Sequence, residues 1–219
     1  MKRTTKMTMV VLVLLDCMLG VSSAAVYDFS GTVLGIEDAG GLLDGSVING
    51  STFSGSYSFD PGAPAILATP PFDTSFAKYS SPGSSVVGTV GNYTMINGPT
   101  EIYICNDFGS LELDGYGLSS SANNTFVNGI STFIKVDFVW GLEDKGGSVF
   151  DSLDLPLSPP DLNEFESNYF LIRLENSCVD TACIYGTMNA LTPVPTPSAM
   201  ILCSVGVGIA GWVKKRKMI

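Results

Sequence analysis

The chain has 219 residues, 11 basic and 21 acidic, and no histidine. The missing imidazole excludes Ser-His-Asp and Cys-His catalysis and zinc–histidine sites, and the net charge of −10 argues against nucleic acid as a partner. Hydrophobic residues at 45% can bury a real core, and 24 glycines suit a chain of many short strands and turns.

The first segment is a leader. Lys2, Arg3 and Lys6 precede an apolar run from Val10 to Leu15, extended by Cys17 to Val21. Ser22, Ser23 and Ala24 supply small residues for cleavage after Ala24 or Ala25. This is the pattern of a secretory signal peptide over residues 1–24, entered as a helix. Asp16 interrupts the run and leaves it too short to favour spanning a bilayer. Asp16 also stands where lipidation of Cys17 would require a small residue.

The body, residues 25–191, reads as strands. "VYDFSGTVLGI" (Val26–Ile36) is the first. "STFSGSYSF" (Ser51–Phe59) alternates, with Phe53, Gly55, Tyr57 and Phe59 on one face and Thr52, Ser54, Ser56 and Ser58 on the other. A period of two over such a length is a half-buried strand, and "DPG" at Asp60–Gly62 then turns the chain. Glu101–Asn106, Leu111–Leu118, Thr132–Trp140, Asn168–Asn176 and Cys183–Leu191 follow, each bounded by turn-forming residues. No segment carries a helical stripe over three turns. The expectation is an all-β, antiparallel sandwich of about eight to eleven strands, jelly-roll-like. The proline-rich acidic stretch Leu155–Glu166 reads as a crossover between sheets.

Chemistry is sparse along this body. Of five cysteines, Cys17 lies in the leader and Cys203 in the tail. Cys178 and Cys183 in "CVDTAC" are placed for a local disulfide, the natural state outside the cytosol, with Cys105 left over. Either of the pair could instead bond Cys105. Three cysteines without histidine form an incomplete metal set. Glycoside hydrolysis needs only two carboxylates. Glu143 with Asp144, and Asp161 with Glu164 and Glu166, are the candidates, although in so acidic a chain such acids are mostly solvated surface. No cofactor is expected; calcium is the one ion that the loops Asp107–Gly115 and Gly141–Gly147 could serve, without the EF-hand spacing. Trp140 shares the parity of Ile134, Val136 and Phe138 and is assigned to the core.

The chain closes with a linker, "LTPVPTP", an uncharged apolar run at Ser198–Val213, and a basic end at residues 214–219. The linker proper, residues 192–197, is held extended by its prolines. The apolar run spans about 24 Å as a helix, short of a ~30 Å hydrocarbon core, so it is a weak membrane helix. Lys214, Lys215, Arg216 and Lys217 place that end in the cytoplasm.

Val194-Pro195-Thr196-Pro197, the glycine-rich apolar run and the basic end together resemble a PEP-CTERM sorting signal. The resemblance covers the residues from Val194 onward, with Thr196 where the family's namesake has glutamate. It implies an exported protein of a Gram-negative bacterium that makes exopolysaccharide, recognised by an exosortase, a membrane transpeptidase. "YDFSGTV", "GSYSFD" and "FLIRLEN…GTMNALTPVP" are loosely similar to bodies carried by such tails. These bodies differ widely, so the resemblance implies an address and no activity.

Without its two ends the body keeps four basic residues against twenty acidic ones, a net charge of −16. The expected function is a non-enzymatic exported protein, sorted to the cell surface or the exopolysaccharide matrix, with the membrane as a partner only in transit. The alternatives are a glycan-binding, lectin-like sandwich and a carboxylate-dependent hydrolase. A solvent-exposed aromatic row beside polar groups would mark the first alternative. Two carboxyls facing each other at roughly 5–10 Å would mark the second.

Overall fold

The structure is a computed structural model and describes residues 24–67, 75–109, 112–127, 131–176 and 180–195. The leader, the apolar tail and the basic end, and with them the expected terminal helices, lie outside the described residues.

Residues 24–193 form one compact unit. Its strands are β1 (Ala25–Asp38), β2 (Thr52–Phe59), β3 (Ala65–Leu67), β4 (Phe76–Ser81), β5 (Ser85–Val90) and β6 (Tyr93–Asn97). They continue with β7 (Thr100–Phe108), β8 (Leu113–Val127), β9 (Ser131–Asp144), β10 (Ser167–Glu175) and β11 (Thr181–Pro193). A 3-10 turn lies at Leu162–Glu164.

The all-β, antiparallel expectation holds, but the strands do not divide into two sheets. All 11 lie in one sheet, in the order β3-β4-β7-β8-β9-β10-β11-β1-β2-β5-β6, curled into a half-barrel. The reason lies in β1, which pairs with β11 from Tyr27 to Asp38 and with β2 from Ala25 to Thr32. Register shifts at Ser30/Gly31 and Val33/Gly35 mark bulges, the first passing over Asn189 of β11 and the second over Leu34 of β1. A bulge bends a strand and sharpens its twist, so the sheet turns a corner here without breaking its ladder.

Curling brings the two arms over a common core. Phe53 of β2 stacks on Phe170 of β10, with centroids 4.5 Å apart, and meets Phe138 of β9 at a tilt, 5.4 Å away. Tyr57 of β2 meets Trp140 of β9 at 5.7 Å, and its hydroxyl hydrogen-bonds to that of Tyr116 on β8 at 3.2 Å. At the β6 edge, Asn97 Nδ2 donates to the Val136 carbonyl at 3.0 Å and to the Ser120 carbonyl at 3.4 Å. Phe53, Tyr57 and Phe59 are 0%, 1% and 2% exposed, as the alternation of β2 predicts, and Ser54, Ser56 and Ser58 are half-buried on the other face. Trp140 is fully buried, as its parity predicts.

The proline-rich stretch is not a crossover between sheets, since it joins β9 to β10, which pair directly. It lies against the core instead. Phe165 is buried and rests on Phe150 at 5.9 Å. Tyr79 and Tyr27 donate their hydroxyls to the Leu153 and Leu157 carbonyls at 2.6 and 3.2 Å. The segment closes part of the core, which one curled sheet leaves uncovered.

Candidate functional site

Val194 and Pro195 follow directly on β11, whose last pairing sets Pro193 against Tyr27. Strand β11 therefore runs two residues into the stretch read as linker. Thr196, Pro197, Lys214, Lys215, Arg216 and Lys217 lie outside the described residues. So does Cys178, and with it the expected Cys178–Cys183 bond. Cys183 lies opposite Glu37 and Arg173 on β11. Cys105, on β7, is separated from it by β8, β9 and β10. Four strand spacings amount to about 19 Å, whereas a disulfide needs Cα atoms within about 7 Å. The alternative pairing of Cys105 with Cys183 is thereby excluded.

Glu143 and Asp144 are consecutive in a strand, so they face opposite sides of the sheet. Glu143 is half-exposed, while Asp144 is buried. Asp161 Oδ1 accepts the Asn163 backbone N–H at 2.9 Å and caps the 3-10 turn.

The two candidate calcium loops do meet. Asp114 of one lies opposite Asp144 of the other. Their oxygens accept backbone N–H groups. Asp114 accepts the backbone N–H groups of Asp107, Val149 and Phe150 at 3.0, 2.8 and 2.7 Å. Asp144 accepts those of Gly146 and Ser148, which hold its carboxyl below the usual carboxylate range. These acids pin the turn between β9 and the proline-rich segment. No cluster of three or more metal-ligating side chains occurs among the described residues.

The outer face of the sheet holds a different constellation. One register row runs Tyr103 (β7), Gly117 (β8), Gly141 (β9), Tyr169 (β10). The Tyr169 ring lies across Gly141: a methyl group built there would sit 2.8 Å from its Cζ and Oη. Two positions along and one strand over, Tyr185 of β11 lies in the same way across Gly35 of β1. Both rings stay open to water, 42% and 41% exposed. Leu171, half-buried, is opposite Tyr185 and spaces the two rings.

Polar groups border this row. Glu143 accepts from Ser167 Oγ at 3.5 Å beside Tyr169. Burial, and then the Glu143 charge, hold the Tyr169 hydroxyl above the usual phenol range. Tyr103 donates to Glu101 Oε2 at 2.6 Å and accepts from Ser119 Oγ at 3.1 Å. Lys78 Nζ takes the other Glu101 oxygen at 2.7 Å. Lys78 and Tyr103 together hold the Glu101 carboxyl below its usual range. A depression of about 180 Å³ lies between Tyr103 and Tyr169 over Gly115 and Gly117. A second, of about 250 Å³, shares Val139 with it and reaches Asp137 and Arg173.

Sequence reasoning read these segments as strands and passed over their tyrosines. The signal was parity: Tyr169 precedes the core residue Phe170, and Tyr185 follows Ile184, so both must face out. Compared with known proteins, the chain matches no family model, no curated protein and no solved structure.

Proposed function

We propose that this is a non-enzymatic exported protein, sorted through its C-terminal tail to the cell surface or the exopolysaccharide matrix. Residues 1–24 are its leader. Residues 198–213 are a short membrane helix that halts the chain, with the basic residues after it on the cytoplasmic side. An exosortase-type transpeptidase then acts near Pro195-Thr196-Pro197.

One observation supports this reading above the others. The compact fold runs from residue 24 to residue 193. Strand β1 opens at Ala25, at the expected leader cleavage point, and β11 closes at Pro193, just before the sorting motif. Removing both ends costs the sheet no strand. The same cuts strip seven of the eleven basic residues and leave a body that repels anionic surfaces.

Deleting residues 194–219 tests the reading. In a host with an exosortase, the intact chain should be held at the cell surface or in the matrix, and the deleted chain should not. An unchanged distribution would contradict the proposal.

A further inference from the structure

We propose that the outer face of β9, β10, β11 and β1 binds a neutral glycan chain, with Tyr169 and Tyr185 as its two stacking platforms. The inference is independent of the sorting reading, because a chain never cut at its tail would present the same face.

The geometry begins with glycine. On a strand, an ordinary outer-face side chain stands off the sheet and holds a neighbouring ring upright. Gly141 and Gly35 have none, so the rings of Tyr169 and Tyr185 rest on the backbone there. Core tyrosines such as Tyr57 and Tyr116 are buried, whereas these two keep about two-fifths of their surface in water. Covering a bare glycine accounts for one side of each ring and leaves the other exposed. A π-face is electron-rich and attracts the weakly positive C–H groups of a sugar ring.

Spacing favours a chain over a single sugar. Tyr169 leans over β9 and Tyr185 leans the opposite way, over β1. Their glycine seats are three strand spacings apart and offset by two residues, so they lie roughly 15 Å from each other. That span exceeds one sugar ring. Leu171 between them offers an apolar bridge, and the Glu143 carboxylate beside Tyr169 offers a strong acceptor for sugar hydroxyls.

Charge selects the class. The body carries four basic residues, and Lys78, Lys135 and Arg173 already pair with Glu101, Asp137 and Glu175. A polyuronate or a phosphorylated glycan would meet net repulsion. Peptide capture by strand addition needs an open edge. Strands β9, β10 and β11 are interior to the sheet, and β1 is paired with β11 through Gly35 and with β2 as far as Thr32.

The test is affinity electrophoresis of the full-length chain in mild detergent. Gels carry hydroxyethylcellulose, mixed-linkage β-glucan, galactomannan or dextran as neutral probes, alginate as an anionic one, and denatured casein as a polypeptide. Retardation by at least one neutral glycan, with none by alginate, is expected. Tyr169→Ala and Tyr185→Ala should each weaken that binding about tenfold, while Tyr169→Phe and Tyr185→Phe stay within about twofold of the parent, because phenylalanine keeps the ring face. Glu143→Gln, which leaves both rings in place, should weaken it several-fold. Melting curves establish that each variant is folded. No retardation by any of the four neutral glycans would overturn the proposal. So would retardation by alginate alone, stronger retention by casein, or folded alanine variants that bind like the parent.

Discussion

At the scale of single residues, most polar side chains of this protein serve its architecture. Asp114 holds three backbone N–H groups and Asp144 two, so the acids most suggestive of a metal in the sequence are turn anchors. Glu101 is the clearest electrostatic case. Its two oxygens accept from Lys78 and Tyr103, which lowers its folded-state pKa. A carboxyl lowered in this way adds stability above its ordinary range and loses it as pH falls through the folded value. Glu101→Gln should therefore lower Tm by about 1–3 °C at pH 7, since a partly exposed ion pair contributes at most about 1 kcal/mol. The two melting curves should converge as pH falls through the folded value and the parent becomes protonated too. A gap that does not narrow with falling pH, or none at pH 7, would contradict this role.

At the scale of elements, alternation made β2 legible, because its aromatic residues all fall on one face, and β9–β11 keep most of their large apolar residues on the core face, Leu171 and the two outer tyrosines apart. Four strands were not read. Strand β3 is only three residues long, and β5, "SVVGTV", carries Val87 on its outer face as well as Val86 and Val90 on its inner one. Valine on both faces erases the period that reveals a strand. The complementarity of glycine and aromatic residues was also invisible, since each partner lies on another strand. A methyl group at Gly186 would collide with the Thr32 carbonyl and sit 2.7 Å from the Phe170 ring. One at Gly141 would meet first the exposed phenol of Tyr169. Gly186→Ala should cost about 2–3 kcal/mol, as overpacking against backbone does, and Gly141→Ala less than about 1 kcal/mol, because Tyr169 can swing away. Chemical denaturation measures both. Equal losses would mean that the glycine seats do not differ in rigidity.

At the scale of the whole molecule, the fold class followed from strand-and-turn punctuation, but the single sheet could not. Whether strands split into two layers or continue around one is decided by β1 meeting β11, a pairing that joins Thr32 to Asn189 across 157 residues of chain. Nothing local in either segment encodes that contact. The outer tyrosines had the same status: parity could turn them outward, but only the curled sheet sets them on neighbouring strands above glycines. What the sequence displays openly is the division of charge, with basic residues crowded at both ends and a body of net charge −16 between them. The described fold begins and ends at those borders. On the proposed reading, both ends are addresses flanking the β domain. The intact mass of the protein recovered from the surface or matrix of exosortase-bearing cells tests it most directly. That chain should begin at about Ala25 and end near Pro197, without the Lys214–Lys217 cluster. Recovery of surface protein that still carries its leader or that basic cluster would contradict it.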